Sequence, residues 1–354
     1  MVSIIVSRLS VSVHCANIDK ISETVNLPGL KMYHFAVLPF IIRIFAGMEA
    51  EQIRTNGWKA WLLAARPKTL TGAAVPVMMG LTLAWAYHVR RGDAETLDVV
   101  PAVLCVLFAF LMQIDANLVN DYFDWKKGTD DEHRMGPRRA CAQGWVTPKA
   151  MCRAIAATTL AACLAGFPLV FYGGFGMVWI GVACVVFCFL YTLLMSYIGL
   201  GDLLVLVFFG IVPVCATFYL QTQTLTKEVL LSAVACGMVI DTLLVVNNYR
   251  DRDNDRRVGK RTLVVLIGER ATEILYFALG LMAFLMGLTF FFQGQYFTFF
   301  LPTIYLSLHA HTYRKMKAIK RGKALNGILG ENARNMFIYG ILFSIGVIAD
   351  VLVS

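Results

Sequence analysis

Two Asp-rich segments hold most of the side chains in this sequence that could bind a metal ion. The first, residues 117–131, reads NLVNDYFDWKKGTDD. On a helix, two amides and two carboxylates of this segment fall within an arc of about 100°, namely Asn117, Asn120, Asp121 and Asp124. One helix face would therefore present four oxygen-bearing side chains to whatever lies against it.

The second segment, residues 247–262, reads NNYRDRDNDRRVGKRT. Asp251 and Asp255 are one helical turn apart, so on a helix both carboxylates point to the same side. Asn247 and Asn248 precede Asp251 by about one turn. The second segment thus repeats the order of the first, with amides before carboxylates.

Carboxylates one helical turn apart repel each other, and the cost is larger close to a membrane. Mg²⁺ would compensate this cost, because it binds one or two carboxylates and completes its coordination with water and phosphate oxygens. Arg138, Arg139, Lys260 and Arg261 flank the segments and could contact the remaining phosphate charge. A single Asp-rich segment is more typical of a solvated loop, but two matching segments favour a Mg²⁺-bridged diphosphate.

The composition places these segments in a membrane protein. Of the 354 residues, 58% are hydrophobic and 16% are charged, whereas soluble domains carry about 25% charged residues. Long continuous apolar runs favour helices over a β-barrel, whose strands alternate. We predict an all-α fold, a polytopic bundle of nine transmembrane helices, at residues 70–88, 100–120, 151–171, 175–194, 202–221, 229–248, 272–292, 297–313 and 334–353.

The basic residues predict the orientation of this bundle. They concentrate in the loops after the second, sixth and eighth predicted helices, whereas the opposite loops hold only Arg90, Arg91 and Lys227. The positive-inside rule therefore places the N-terminus in the cytoplasm, the C-terminus outside and both Asp-rich segments at the cytoplasmic face. The excess basic residues that give the net charge of +9 therefore lie in the loops at one membrane face. No nucleic-acid partner is expected.

Residues 1–47 fit this arrangement poorly. Their most apolar stretch, residues 32–45, is too short to cross a bilayer and contains Pro39. We expect a disordered or interfacial extension, or a translation start at Met48, in preference to a signal peptide. The predicted division is therefore an extension, 1–47, and a membrane-embedded domain, 48–354.

The two Asp-rich segments resemble the paired signature motifs of the UbiA superfamily of intramembrane aromatic prenyltransferases. That family also has nine helices, with its motifs after the second and the sixth. Finer similarity to the 1,4-dihydroxy-2-naphthoate polyprenyltransferase branch lies in four segments, 65–70 (ARPKTL), 134–138 (RMGPR), 197–202 (YIGLGD) and 259–263 (GKRTL). The resemblance covers roughly residues 58–350.

The first motif departs from the general superfamily pattern at one position. That pattern usually spaces Asn, Asp and Asp four residues apart, which would be Asn120, Asp124 and position 128, but this chain has Gly128 there. The naphthoate branch is similar in this respect. Either Asp121 or Asp130 could then supply the further metal ligand.

The resemblance implies transfer of a polyprenyl group from polyprenyl diphosphate to 1,4-dihydroxy-2-naphthoate, with loss of CO₂ and diphosphate, to give demethylmenaquinone. It implies Mg²⁺ as cofactor and a lipid bilayer as surroundings, in a cytoplasmic (inner) membrane, while prenyl chain length and oligomeric state stay open. The implied metal ligands are Asn120, Asp121, Asp124, Asp130, Asp251 and Asp255, and the catalytic carboxylates among them are Asp121, Asp124, Asp251 and Asp255. The implied diphosphate or substrate contacts are Arg66, Lys68, Asn117, Asn120, Arg138, Asn247, Asn248 and Lys260.

Three residues inside or beside predicted helices are further substrate-binding candidates. Asp241 lies within the sixth helix, where an ionisable group is a functional candidate. Asp202 opens the fifth helix inside a family-like segment and could lie at the mouth of a pocket. Tyr191 could place its ring against a cationic intermediate, although packing is the commoner role of a single aromatic side chain at such a position.

Two other functions are compatible with these residues. A UbiA-type enzyme with another aromatic acceptor, such as 4-hydroxybenzoate, a chlorin or haem, would use the same Asp-rich segments. A membrane transporter would also carry intramembrane carboxylates, but near the middle of the bilayer. The carboxylates of this chain cluster at one predicted face, which favours the enzyme.

Overall fold

The structure, a computed structural model, describes residues 53–93, 97–128, 135–194 and 197–354. The predicted extension at 1–47 and the candidate ligand Asp130 lie outside these ranges. Within them the regular elements are all helical, as predicted. In chain order they are α1 (Trp58–Ala65), a 3₁₀ turn (Pro67–Leu70), α2 (Thr71–Arg91), α3 (Val99–Lys126), α4 (Pro148–Gly166), α5 (Leu169–Gly173), α6 (Gly176–Leu193), α7 (Gly201–Val205), a π-helical turn (Leu206–Ile211), α8 (Val212–Thr222), α9 (Lys227–Arg257), α10 (Leu263–Met286), α11 (Leu288–Phe292), α12 (Tyr296–Phe300), α13 (Thr303–Ile319) and α14 (Leu325–Val353).

Eight helical segments of the described chain are long and apolar enough to cross a membrane, so this is a multi-pass membrane protein. The span predicted at 297–313 differs from the other eight. The chain there divides into α12 and α13 on either side of Pro302, which has no N–H to continue a helix. α13 is 17 residues long and carries basic side chains in its last turns.

The two helices that carry the Asp-rich segments extend beyond their apolar runs. α3 has 28 residues and α9 has 31. At about 1.5 Å per residue, helices of this length exceed a hydrocarbon core of about 30 Å, so their polar ends lie beyond it. The first Asp-rich segment up to Lys126, and the second up to Arg257, are therefore held on helix ends and not on loops.

α9 is the most buried of the eight spans and contacts α2, α10, α14 and the π-helical turn. The contact with the π-helical turn is made by glycines, because a Cβ on Gly210 would overlap the backbone of Gly237. The π-helical turn comes directly before Val212 and Pro213. A proline removes one hydrogen bond from the helical ladder, which accounts for the local widening at this point.

Candidate active site

Asp124 is the residue at which the two Asp-rich segments meet. Its buried carboxylate accepts hydrogen bonds from Arg139 Nη2 at 2.9 Å and from Lys260 Nζ at 3.4 Å. The backbone N–H of Lys260 in turn donates to the carbonyl oxygen of Asp255 at 2.8 Å. Lys260 therefore joins the end of α3 to the end of α9.

Tyr191 of α6 lies within electrostatic range of four predicted carboxylates. Its hydroxyl is within electrostatic range of Asp124 and Asp255 at the helix ends, and of Asp202 and Asp241 in α7 and α9. Asp124, Asp255, Asp202 and Asp241 are all buried. The structure therefore brings four of the predicted carboxylates to one region.

Asp251 forms an ion pair with Arg250, the preceding residue of its own helix. Arg250, whose side chain is 1% exposed, donates from Nε and Nη2 to the two Asp251 carboxylate oxygens at 2.8 and 2.5 Å. The same guanidinium donates to Asn247 Oδ1 and to Asn326 Oδ1, both at 2.9 Å. Asn326 at the start of α14 donates to the carbonyl oxygen of Met135 at 2.9 Å. Arg250 thus ties the second segment to the loop that follows the first.

Asp121 makes contacts of a different kind from those of Asp124. Its buried carboxylate accepts hydrogen bonds from the backbone N–H groups of Ala140 (2.8 Å) and Cys141 (2.9 Å). Both carboxylate oxygens are therefore used to anchor the loop that carries Arg139. These contacts give Asp121 a structural role, and its role as a metal ligand stays a prediction.

Asn117 fixes the turn before α2. Its Nδ2 donates to the carbonyl oxygen of Ala65 at 3.0 Å and to Thr69 Oγ1 at 2.8 Å. Between these two acceptors Arg66 adopts a left-handed backbone conformation, with φ of 50°. Arg66 is half-buried and Lys68 is exposed, so the turn presents both cations near the end of α1.

The remaining predicted residues occupy varied positions. Asn120 accepts a hydrogen bond from Thr192 at the end of α6, and Asn248 is half-buried. Arg138 is exposed, whereas its neighbour Arg139 is buried against Asp124. Sequence reasoning chose Arg138 from this pair, and no signal in the sequence indicates which of the two adjacent arginines turns inward.

Sequence reasoning also missed Lys127, the residue that follows α3. Its Nζ donates to the carbonyl oxygens of Thr192 at 3.1 Å and Leu193 at 3.0 Å, in the last turn of α6. Burial lowers the pKa of the Lys127 ammonium, which nearby Asp124 opposes and nearby Lys260 reinforces. The available signal was its spacing, since a residue three positions after Asp124 lies on the same helix face.

A cavity of about 420 Å³ lies between α2, α3, α6, the π-helical turn and α8. Three carboxamides and one phenol line it, from Gln113, Asn117, Asn120 and Tyr191. Apart from Thr217, the other lining residues are apolar, cysteine, glycine or proline. The cavity therefore has a polar end, one helical turn from the carboxylate of α3, and a long apolar remainder.

Asp202 and Asp241 are buried carboxylates with unused hydrogen-bonding capacity. They are 8% and 5% exposed, and Oδ1 of each has no hydrogen-bond partner among the described residues. The two groups are close enough to interact electrostatically. A buried acceptor without a partner costs about 1–3 kcal/mol, so these two carboxylate oxygens are available to accept hydrogen bonds from a bound molecule.

The oxygen donors in this region fit a hard divalent cation that is shared with a substrate. Among the described residues, no three His, Cys, Asp or Glu side chains form a group that could hold a metal by themselves. Asp124, Asp255 and the amide of Asn120 nevertheless supply the oxygen donors that Mg²⁺ prefers. A cation that keeps its waters and takes phosphate oxygens needs no more than one or two protein carboxylates.

The fold and the site define an intramembrane prenyltransferase, and comparison with known proteins agrees. Residues 70–340 match the sequence model of the UbiA prenyltransferase family. The solved structure of a UbiA homolog from Archaeoglobus fulgidus bound to GPP and Mg²⁺ has a TM-score of 0.60 at 12% identity, over 83% of this chain and 99% of that one. That likeness shows a shared fold. The chain belongs to the UbiA prenyltransferase family.

Two curated bacterial relatives within the family share a name, and a human relative has another. The 1,4-dihydroxy-2-naphthoate octaprenyltransferase of Escherichia coli (strain K12) is 40% identical over 220 residues, 60% of this chain and 69% of that protein. The protein of the same name from Haemophilus influenzae is 30% identical over 312 residues, 85% of this chain and 99% of that protein. UbiA prenyltransferase domain-containing protein 1 of Homo sapiens is 28% identical over 257 residues.

Proposed function

We propose that this protein transfers a polyprenyl group from polyprenyl diphosphate to 1,4-dihydroxy-2-naphthoate, releasing CO₂ and diphosphate and giving demethylmenaquinone in its reduced form. The observation that carries the proposal is the junction of the two Asp-rich segments at Asp124 and Lys260, beside the polar end of the apolar cavity. The acceptor follows from the names of the relatives in E. coli and H. influenzae.

The diphosphate lies, in this proposal, between the ends of α3 and α9. Arg139 and Lys260, which contact Asp124, donate to phosphate oxygens, and Lys68 reaches the same charge from the turn before α2. Asp124 and Asp255 would hold Mg²⁺, which would neutralise the charge that the leaving diphosphate acquires. Further ligands from Asn120, Asp121, Asp251 or Asp130 stay predictions.

The prenyl tail occupies the apolar cavity, which excludes water from the reacting carbon. The bond between the first prenyl carbon and the bridging oxygen breaks, its electron pair leaves with the diphosphate, and an allylic cation remains. Phe187 and Phe208 line the cavity with ring centroids 4.9 Å apart, and Tyr191 lines it beside the polar end. The faces of these rings stabilise a cation.

The acceptor ring attacks this cation at the carbon that bears the carboxylate. A carbon–carbon bond forms, the bond to the carboxylate breaks, and its electron pair restores the aromatic ring as CO₂ leaves. Asp202 and Asp241 accept hydrogen bonds from the acceptor hydroxyls, because each has a carboxylate oxygen without a partner among the described residues. These bonds hold the electron-rich ring beside Tyr191.

We also propose that the protein lies in the cytoplasmic (inner) membrane with its N-terminus inside, its C-terminus outside and the site facing the cytoplasm. The ends of α3 and α9 and the segment between α13 and α14 carry the basic residues that the positive-inside rule places in the cytoplasm.

The proposal is tested with membranes that contain the protein, dihydroxynaphthoate, a labelled polyprenyl diphosphate and Mg²⁺. We expect Mg²⁺-dependent formation of the prenylated naphthoquinol, followed as demethylmenaquinone by chromatography, and its loss on addition of EDTA. Turnover of 4-hydroxybenzoate or another ring in place of naphthoate would retain the family and contradict the acceptor. No turnover with any acceptor by folded protein would contradict the proposed reaction.

Filling the cavity should shorten the prenyl chain that the enzyme accepts. Gly181 lines the cavity, and a Cβ there would contact nothing within 4 Å, so Gly181→Trp should direct its indole into the space of the tail. We expect KM for a long polyprenyl diphosphate to rise about tenfold and KM for geranyl diphosphate to stay unchanged. Gly176→Trp, on the same helix but outside the cavity lining, is the matched control. Equal effects on both chain lengths would contradict this path for the tail.

A further inference from the structure

The ring of Tyr197 is contacted by two ammonium groups. Lys127 Nζ lies 4.1 Å from the ring centroid and Lys260 Nζ lies 5.5 Å from it. The two lysines belong to different Asp-rich segments, one directly after α3 and the other three residues after the end of α9. Tyr197 therefore provides a shared contact for one cation from each half of the site.

The backbone around Tyr197 is fixed against the loop that follows α9. The carbonyl oxygen of Tyr197 accepts a hydrogen bond from the backbone N–H of Arg261 at 3.3 Å. Gly199 has a φ of +82°, and a Cβ there would lie 2.9 Å from Leu266 Cδ1 and 3.1 Å from the carbonyl oxygen of Arg261. The segment that carries the ring is thus packed tightly against the residue next to Lys260.

Two ammonium groups at one ring repel each other, and each has a separate compensating partner. Lys260 pairs with Asp124. Lys127 binds the carbonyl oxygens of Thr192 and Leu193 at the C-terminal end of α6, where the helix dipole favours a cation. The face of the Tyr197 ring attracts both cations and is the contact they share.

We propose that Tyr197 is a positioning residue that holds the ammonium groups of Lys127 and Lys260 together, so that both bind the diphosphate of the prenyl substrate. The inference rests on the proposed function and adds Lys127 to the diphosphate-binding residues. A dianionic or trianionic group is matched by two adjacent cations better than by one, and the ring keeps them adjacent before the substrate arrives.

The test compares a variant that removes the ring with one that keeps it. Binding of geranyl diphosphate with Mg²⁺, without acceptor, is measured by calorimetry in detergent. Tyr197→Leu should weaken binding about tenfold, because contacts to two cations are lost, whereas Tyr197→Phe should stay within about twofold. In turnover assays Tyr197→Leu should raise KM for the prenyl diphosphate and leave KM for dihydroxynaphthoate unchanged.

Lys127 gives a second, independent variant in case Tyr197→Leu fails to fold. Lys127→Met should weaken geranyl diphosphate binding about tenfold, and Lys126→Met, at the exposed neighbouring position, should bind like the wild type. Melting temperatures of all four variants report folding separately from binding.

The outcomes separate the inference from the proposed function. The inference alone would be overturned if the wild type binds geranyl diphosphate and Lys127→Met binds it with the same affinity. Equal losses of affinity in Tyr197→Phe and Tyr197→Leu would also overturn the inference alone. Absence of geranyl diphosphate binding by folded wild-type protein would overturn both. The inference would be established if Tyr197→Leu and Lys127→Met each bind geranyl diphosphate about tenfold more weakly than the wild type, while Tyr197→Phe and Lys126→Met bind with nearly wild-type affinity.

Discussion

Asp124→Asn should lower turnover by about a thousandfold while the protein stays folded. The amide removes the negative charge that Mg²⁺ requires, and it removes the carboxylate that Arg139 and Lys260 contact. Because an amide oxygen can still accept one hydrogen bond, the helix end keeps part of its contacts. Turnover at saturating substrate over a range of Mg²⁺ concentrations measures the effect, and circular dichroism in detergent checks the fold.

Asp121→Asn is the matched control on the same helix. Its NH₂ group would face a backbone N–H of Ala140 or Cys141, so one buried hydrogen bond is lost and a donor meets a donor. We expect the free energy of unfolding to fall by about 1–3 kcal/mol, with the dependence of turnover on Mg²⁺ unchanged. A weaker response to Mg²⁺ at unchanged stability would instead support Asp121 as a metal ligand.

Arg250→Leu should produce the largest loss of stability among the site variants. The substitution leaves Asp251 without its ion pair and removes the hydrogen bonds to Asn247 and Asn326. Removal of one partner from a buried ion pair costs about 3–5 kcal/mol, and because the Asp251 side chain is 17% exposed we expect a loss of about 3 kcal/mol, at the lower end of that range. Thermal unfolding in detergent measures the change.

Two further variants show whether the loss belongs to the guanidinium. Arg250→Lys should recover only part of the stability, since an ammonium cannot bind three side chains in the fixed geometry of the guanidinium fork. Arg256→Leu removes an exposed arginine from the same helix and should change stability little. Equal stability of Arg250→Leu and the wild type would contradict the structural role of this residue.

The membrane helices were predictable because the length of an apolar run determines whether a segment can cross the bilayer. The prediction of an all-helical UbiA-type fold is confirmed. The second and sixth helices were predicted from their apolar runs, at residues 100–120 and 229–248. In the structure these helices continue to Lys126 and Arg257. Polar residues that a hydropathy argument excludes can still continue a helix beyond the bilayer.

The site was predictable only where residue spacing determines it. Asp124, Asp255 and Lys260 were chosen from their motifs, and the structure places them together. Lys127 was missed, and Arg138 was preferred to its buried neighbour Arg139, because which side of a loop or helix end faces inward depends on contacts with distant segments. The binding roles of all these residues stay predictions until the variants are measured.

The hydrogen bond between Asn326 and Met135 can form only after most of the chain has been synthesised. It spans 191 residues and links the start of the last helix to the loop after the first Asp-rich segment. The chain is synthesised from its N-terminus at about 5–20 residues per second. Asn326 is therefore made on the order of ten seconds or more after Met135. A nascent chain arrested before α14 should therefore contain both Asp-rich segments and yet lack the contact through Asn326 that links Arg250 to Met135.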